Sequence, residues 1–129
     1  MTVITGGAGG MGTATAAIVG RDHAVVLADV RAERLDAAVA ALKDRGISAT
    51  GVPADVTDPD AVGAVFDTAS GLGELVSVIH TAGVSPSMGD ADYVMRTNAV
   101  GTATVGERFH ASAPPGAALV NVASMAAYL

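Results

Sequence analysis

The chain has 129 residues, enough for one modest domain around one hydrophobic core, and half of them are apolar. Aromatics make up only 3%, so Val, Ala, Leu and Ile must fill that core. A net charge of −6 with no run of Lys or Arg speaks against nucleic acid as the main partner, and the absence of Cys excludes a disulfide framework and a thiolate metal site. No apolar stretch is long enough to span a bilayer, and the N-terminus enters a strand without a basic leader. A cytoplasmic protein with no membrane partner is expected.

The first apolar run, Met1 to Ile4, breaks into Thr5-Gly6-Gly7-Ala8-Gly9-Gly10-Met11-Gly12 and resumes as an alanine-rich helical stretch from Thr13 to Val19. A strand that turns through glycines into a helix can hold a pyrophosphate. The backbone there admits close approach, and the helix start offers unpaired N–H groups and the positive end of its dipole. A second apolar run, Ala24 to Ala28, closes on Asp29, 17 residues after Gly12, about where the ribose-binding acid of a dinucleotide site belongs. Leu35, Ala38, Val39 and Leu42 recur at helical spacing and Gly46 is placed to end that helix.

Ser48 to Val52 reads as a third strand, and Asp58-Pro59 as a helix start with Asp as N-cap and Pro at the first helical position. Val62, Val65, Phe66 and Ala69 form the buried stripe of that helix, which Gly71-Leu72-Gly73 should break. Leu75 to His80 is a fourth strand and Gly83 to Gly89 a loop. Tyr93 to Ala111 is the longest helical stretch, stopped by Pro114-Pro115-Gly116, and Ala117 to Val122 is a fifth strand.

Strands alternating with helices imply an α/β fold, a Rossmann-type doubly wound parallel sheet covered on both faces. Right-handed crossovers lead to the order 3-2-1-4-5, with a switch point between strands one and four, where ligands bind at the carboxyl ends. Gly6 to Gly12, Asp29, Asp55, His80 to Gly83 and Ser124 all fall at such ends. Each also has a plainer reading: Asp29 as a helix cap, Asp55 as a turn residue, His80 as a filled core position, Ser124 as a turn hydroxyl. Met88, Met95 and Met125 are candidates to line a pocket, although Met also fills gaps in cores.

Taken in order, these segments resemble the short-chain dehydrogenase/reductase family over nearly the whole chain. The glycine run matches TGxxxGxG at Thr5, Gly6, Gly10 and Gly12, with Met11 inside it. Asp55-Val56 looks like the family's adenine-contacting pair. His80-Thr81-Ala82-Gly83 is similar to its NNAG segment, with His and Thr replacing the two Asn. Asn98 and Ser124 match the positions of the catalytic-site Asn and Ser, and the short loop from Gly83 to Asn98 is closest to the hydroxysteroid dehydrogenase/carbonyl reductase members. The resemblance implies NAD bound by Gly6, Gly10, Met11, Gly12, Asp29, Val30, Asp55, Val56, Ala82 and Gly83, with NADP disfavoured by the charge of Asp29. It implies Ser124 and Asn98 as catalytic residues, a small-molecule alcohol/carbonyl substrate and no metal.

In the resembled family a Tyr moves the proton and a neighbouring Lys lowers its pKa, as YxxxK after the serine. Here Tyr128 stands one residue from the last, and the one lysine, Lys43, belongs to the second helix. The expectation is a single NAD(P)-binding Rossmann domain over residues 1–129, the N-terminal part of a longer enzyme lacking the C-terminal strands and helices. By itself it should bind cofactor at best, in a homo-oligomer or in association with its own remainder. Two alternatives stay open: a sugar-nucleotide epimerase or dehydratase of the extended branch, since the run also reads TGxxGxxG through Gly9, and a non-catalytic dinucleotide-binding subunit.

Overall fold

β-branched residues crowd the short runs of this chain, and such side chains suit a pleated surface packed on both sides. The structure is a computed structural model that describes residues 1–128, with side chains described through residue 126. Five strands alternate with helices: β1 Thr2–Thr5, α1 Gly10–Val19, β2 Val25–Asp29, α2 Ala32–Asp44, β3 Ala49–Pro53, α3 Pro59–Leu72, β4 Ser77–His80, α4 Ala91–Met95, α5 Gly101–Ser112 and β5 Ala118–Asn121. All pairings are parallel and the order is β3-β2-β1-β4-β5, as the crossover argument predicts. The carboxyl ends of β1 and β4, in register as Thr5 beside His80, therefore flank the switch point.

Side chains alternate across the sheet with period two. Val3, Val26 and Val78 point to the face where Phe66 of α3 and Val105 of α5 pack. Ile4, Val25 and Leu27 point to the other, against Ala16 of α1 and Leu35 and Leu42 of α2. Every residue of β1 and β2 is buried, so the two strands that carry the glycine turn and Asp29 are the rigid centre of the domain.

Most helix signals act as expected. The carboxylate of Asp58 accepts from the N–H groups of Asp60 and Ala61 at 2.9 and 3.4 Å, with Pro59 opening α3. Gly46 takes φ +78° just beyond α2. Some boundaries move. Helix α3 continues through Gly71 and stops at Leu72, because an isolated Gly is tolerated in the last turn of a packed helix. Strand β4 starts at Ser77 rather than Leu75. The long helix starts at Ala91, where Asp90 caps it by accepting from Tyr93 N–H at 2.8 Å. It is also not uniform. A π-helical turn, Arg96–Val100, separates α4 from α5 and contains Asn98. Periodicity of apolar residues cannot reveal a one-residue insertion of that kind.

Among the described residues no helix is long and apolar enough to cross a membrane, and no cluster of His, Asp and Glu could hold a metal ion.

Candidate functional site

The turn after β1 is closed on itself. Gly9 N–H donates to Gly6 O at 3.0 Å and Gly7 N–H to Ala28 O of β2 at 3.0 Å. Gly6 has φ +64°, and a Cβ on it would meet Ala82 N at 2.8 Å. A Cβ on Gly12 would lie 2.1 Å from Gly6 O. Both positions thus exclude a side chain on backbone grounds. Gly10 differs: its Cβ direction meets no heavy atom within 4 Å and opens to the surface. The start of α1 therefore presents bare backbone to a concave space, a cradle suited to a phosphate.

That space is a groove lined by Gly6, Gly9, Gly10, Met11 and Gly12 of the turn, Ala28 to Arg31 after β2, Ala54 to Val56 after β3, and Thr81 to Val84 after β4. All ten residues expected to bind cofactor lie along it. Met88, Tyr93 and Thr97 complete the wall. Tyr93 and Thr97 were not singled out by the sequence, which holds no motif for them; they reach the wall from α4 (Ala91–Met95) and from the π turn that follows it. Of the other methionines, Met95 lines a shallow depression with Pro86, Gly89, Ala91 and Val94, and Met125 is exposed.

The two acids of the groove are already hydrogen-bonded. Asp29 is buried, and its Oδ2 accepts from Ala8 N–H at 3.1 Å, which ties the end of β2 to the glycine turn. Its Oδ1 accepts from the backbone N–H of Arg31 at 3.1 Å and from Arg31 Nε at 3.2 Å. It caps no helix; Arg31 occupies the N-cap of α2. Asp55 Oδ1 accepts from both the backbone N–H and the hydroxyl of Thr57, at 2.9 and 2.7 Å, so the turn role and the groove position coexist. Val56 is buried in the core beneath it.

Asn98 and Ser124 do not line the groove among the described residues. Both ends of the Asn98 amide are engaged: Oδ1 accepts from Val84 N–H and Nδ2 donates to Val84 O, both at 2.8 Å. It clasps the loop after β4, and a Cβ on Gly83 would stand 3.2 Å from its Oδ1. Ser124, just past β5, is exposed, and its Oγ accepts from Ala126 N–H at 3.1 Å, leaving its own hydrogen to donate. The side chain of Tyr128 and all of Leu129 lie outside the described residues.

His80 ends β4 and is 3% exposed. Its Nδ1 is 2.7 Å from Thr5 Oγ1 and its Nε2 is 3.0 Å from Thr102 Oγ1. Burial lowers its pKa below the ordinary histidine value, which favours the neutral ring.

This arrangement has counterparts in known proteins. The family model described as short chain dehydrogenase matches residues 1–129. Cis-4-hydroxycyclohexanecarboxylate dehydrogenase of Sinomonas cyclohexanicum is 36% identical over an alignment that takes in 97% of this chain and 55% of that protein. C alpha-dehydrogenase of Sphingobium sp. (strain NBRC 103272 / SYK-6) is 34% identical, with 98% of this chain and 46% of that protein covered. Among solved structures, a short-chain dehydrogenase/reductase (SDR:glucose/ribitol dehydrogenase) from Brucella melitensis superposes with a TM-score of 0.85 at 28% identity, covering 98% of this chain and 57% of its own. The apo form of LigD from Sphingobium sp. strain SYK-6 does so with a TM-score of 0.83 at 30% identity, covering 100% and 61%. The chain spans about half the length of these relatives. With the match running from its first residue to its last, the chain belongs to the short chain dehydrogenase family.

Proposed function

We propose that this chain is the cofactor-binding part of an NAD-dependent oxidoreductase that interconverts a small-molecule alcohol and its carbonyl compound. The observation that carries the reading is the glycine turn at the switch point. Gly6 and Gly12 exclude side chains so that the turn can form, while Gly10 leaves open backbone facing the groove. In that reading Gly6, Gly10, Met11 and Gly12 hold the pyrophosphate, Asp29 and Val30 the adenosine ribose, Asp55 and Val56 the adenine. Ala82 and Gly83 border the nicotinamide half. When bound, a nicotinamide accepts or gives the hydride.

The chain's own residues then position the rest. Ser124, with its hydroxyl hydrogen uncommitted by the bond it accepts, donates to the substrate oxygen. Asn98 acts through the loop: both ends of its amide hold Val84, which lines the groove, so its contribution is to fix the wall. Neither Tyr93, followed four positions on by Thr97, nor Tyr128 forms a YxxxK pair within the 129 residues. The names of the relatives, several of them dehydrogenases, agree with this class of reaction.

NAD is favoured over NADP because the carboxylate of Asp29, at the end of β2, would face a 2′-phosphate. Arg31 works against this in part, since its Nε pairs with that carboxylate. Calorimetric titration of NADH and NADPH into the full-length protein tests both levels. Tighter binding of NADPH refutes the preference, and binding of neither refutes the dinucleotide reading.

A further inference from the structure

For a neutral His80 ring, the surrounding hydrogen bonds have one consistent direction. Ala82 N–H donates to Thr5 Oγ1 at 3.3 Å, so that oxygen already accepts once, and its single hydrogen is available to His80 Nδ1 at 2.7 Å. At the other end Thr102 Oγ1 donates its single hydrogen to Asn98 O at 2.7 Å. Towards His80 Nε2, 3.0 Å away, the Thr102 oxygen can only accept. The neutral ring, which burial favours, therefore carries its proton on Nε2 and leaves Nδ1 as the acceptor. The chain of donors runs from Ala82 through Thr5 into the ring, and out of it through Thr102 to the carbonyl of Asn98. It joins two parts of the site that are far apart in sequence: the glycine-turn strand and the π-helical turn that holds Asn98.

We infer that His80 is a positioning residue, a one-way hydrogen-bonded link that sets the turn carrying Asn98 relative to the end of β1. Through Asn98 it holds the loop at Val84 against the groove. The inference rests on the proposed dinucleotide reading only for what the groove binds; the link itself is a property of the protein. An Nε2–H ring with two fixed partners is a rigid spacer, because imidazole cannot bend and each threonine hydroxyl has its other hydrogen bond already placed. Buried polar groups in such a chain are costly to orphan, so loss of one member is felt at the next.

The test uses the full-length protein. With histidine nitrogens labelled, long-range ¹H–¹⁵N correlation should show His80 as a single Nε2–H tautomer; the His80→Asn variant identifies its signals against those of His23 and His110. A protonated Nδ1, or a mixture of tautomers, overturns the inference. Two variants then cut the link at one point. His80→Asn keeps an acceptor at the Nδ1 position but has nothing at Nε2, and Thr102→Val removes the hydroxyl without changing shape. Each should speed amide exchange of Val84 by roughly three- to tenfold, the range for one net hydrogen bond. The double variant should do no more than either alone. Additive effects, or unchanged exchange at Val84 with only the melting temperature lowered, would reduce His80 to a packing residue and overturn the inference. His80→Gln, whose amide reaches the Nε2 position, should restore Val84 protection towards that of the unmodified protein; failure to restore it counts against the link. If the unmodified protein binds neither NADH nor NADPH, the dinucleotide reading fails, while the tautomer and the Val84 exchange still decide the link.

Discussion

Replacing Gly10 and Gly12 separately by Ala divides the glycine turn into its two jobs. At Gly12 the new Cβ would lie 2.1 Å from Gly6 O and 2.9 Å from Gly7 Cα, all backbone, so no rotamer change can relieve it. The turn must open by about 1 Å, and overpacking of that kind costs about 3 kcal/mol, the upper end of the usual range. In the full-length protein that lowers the melting temperature by about 10 °C. On sequence grounds Gly12→Val is expected to crowd the phosphates and the strand–helix contact and to abolish cofactor binding before folding. The nearest obstacle to a Cβ here is the turn's own carbonyl, so the fold is expected to suffer first. At Gly10 the added methyl meets nothing within 4 Å. As the first residue of α1 it should leave stability unchanged or raise it by up to about 0.5 kcal/mol. Gly10 lines the groove, so on the phosphate reading its backbone is approached closely and NADH affinity should fall at least about tenfold, a loss of roughly 1.4 kcal/mol. Thermal unfolding and calorimetric titration of the two variants measure both quantities. A stable Gly12→Ala protein refutes the clash argument; a Gly10→Ala protein with unchanged affinity shows that the cradle holds no phosphate.

Asp29→Ala removes the acceptor for Ala8 N–H and the partner of Arg31. It should cost about 1–3 kcal/mol in urea unfolding and narrow the gap between NADH and NADPH affinities. A stability at pH 7 equal to that of the unmodified protein would show that the carboxylate does not brace the turn. Burial keeps the His80 pKa in the folded chain below the ordinary 6.5, so the unfolded chain binds more protons between the two values. Its contribution is complete above 6.5 and is lost as pH falls towards the folded value, by at most about 1.4 kcal/mol per pH unit. Unfolding free energies of the unmodified protein and of His80→Asn, compared across pH 7.5 to 5, should therefore show a shallower slope for the variant; equal slopes refute the assignment.

The parts of this molecule that were legible in the sequence are those encoded locally. Glycines between an apolar run and a helix, Asp29 closing the next run, and Asp58-Pro59 before an apolar stripe each state their structure within a few residues. Parallel order then follows from handedness. What stayed hidden depends on partners distant in the chain. Asp29 reads as a ribose ligand or a helix cap, and nothing near it announces the bond from Ala8, 21 residues earlier. His80 reads as a core residue on an apolar strand, which its burial bears out, but its ring is tied 75 residues back to Thr5 and 22 forward to Thr102. Asn98 sits in what the pattern shows as one long helix. The π turn that contains it changes no apolar spacing strongly enough to be read. Tyr93 of α4 and Thr97 of the π turn also enter the groove wall without any motif to announce them.

Where the sheet leaves the cover of its helices, the consequences can be measured. Helix α1 packs on β1 and α2 on β2 and β3, while α3 and α5 occupy the opposite face. On the α1 side nothing among the described elements lies over β5. Ile79 of β4 is in register with Val120 of β5, which is 49% exposed, and Val122 beyond it is 44% exposed. Helix α1 also shows Met11 and Ile18, each at least 60% exposed. Strand β5 also ends the sheet, with one edge of its backbone unpaired, which invites pairing with another chain. Soluble monomers rarely tolerate a continuous apolar surface above a few hundred Å². The 129 residues on their own should therefore associate or precipitate, and sedimentation velocity at increasing concentration should show growing species. Val120→Lys should shift that distribution towards monomer by placing charge on the bare strand. A well-behaved monomer of the unmodified 129 residues, unfolding cooperatively, would mean that the face is covered in a way this sheet order does not allow.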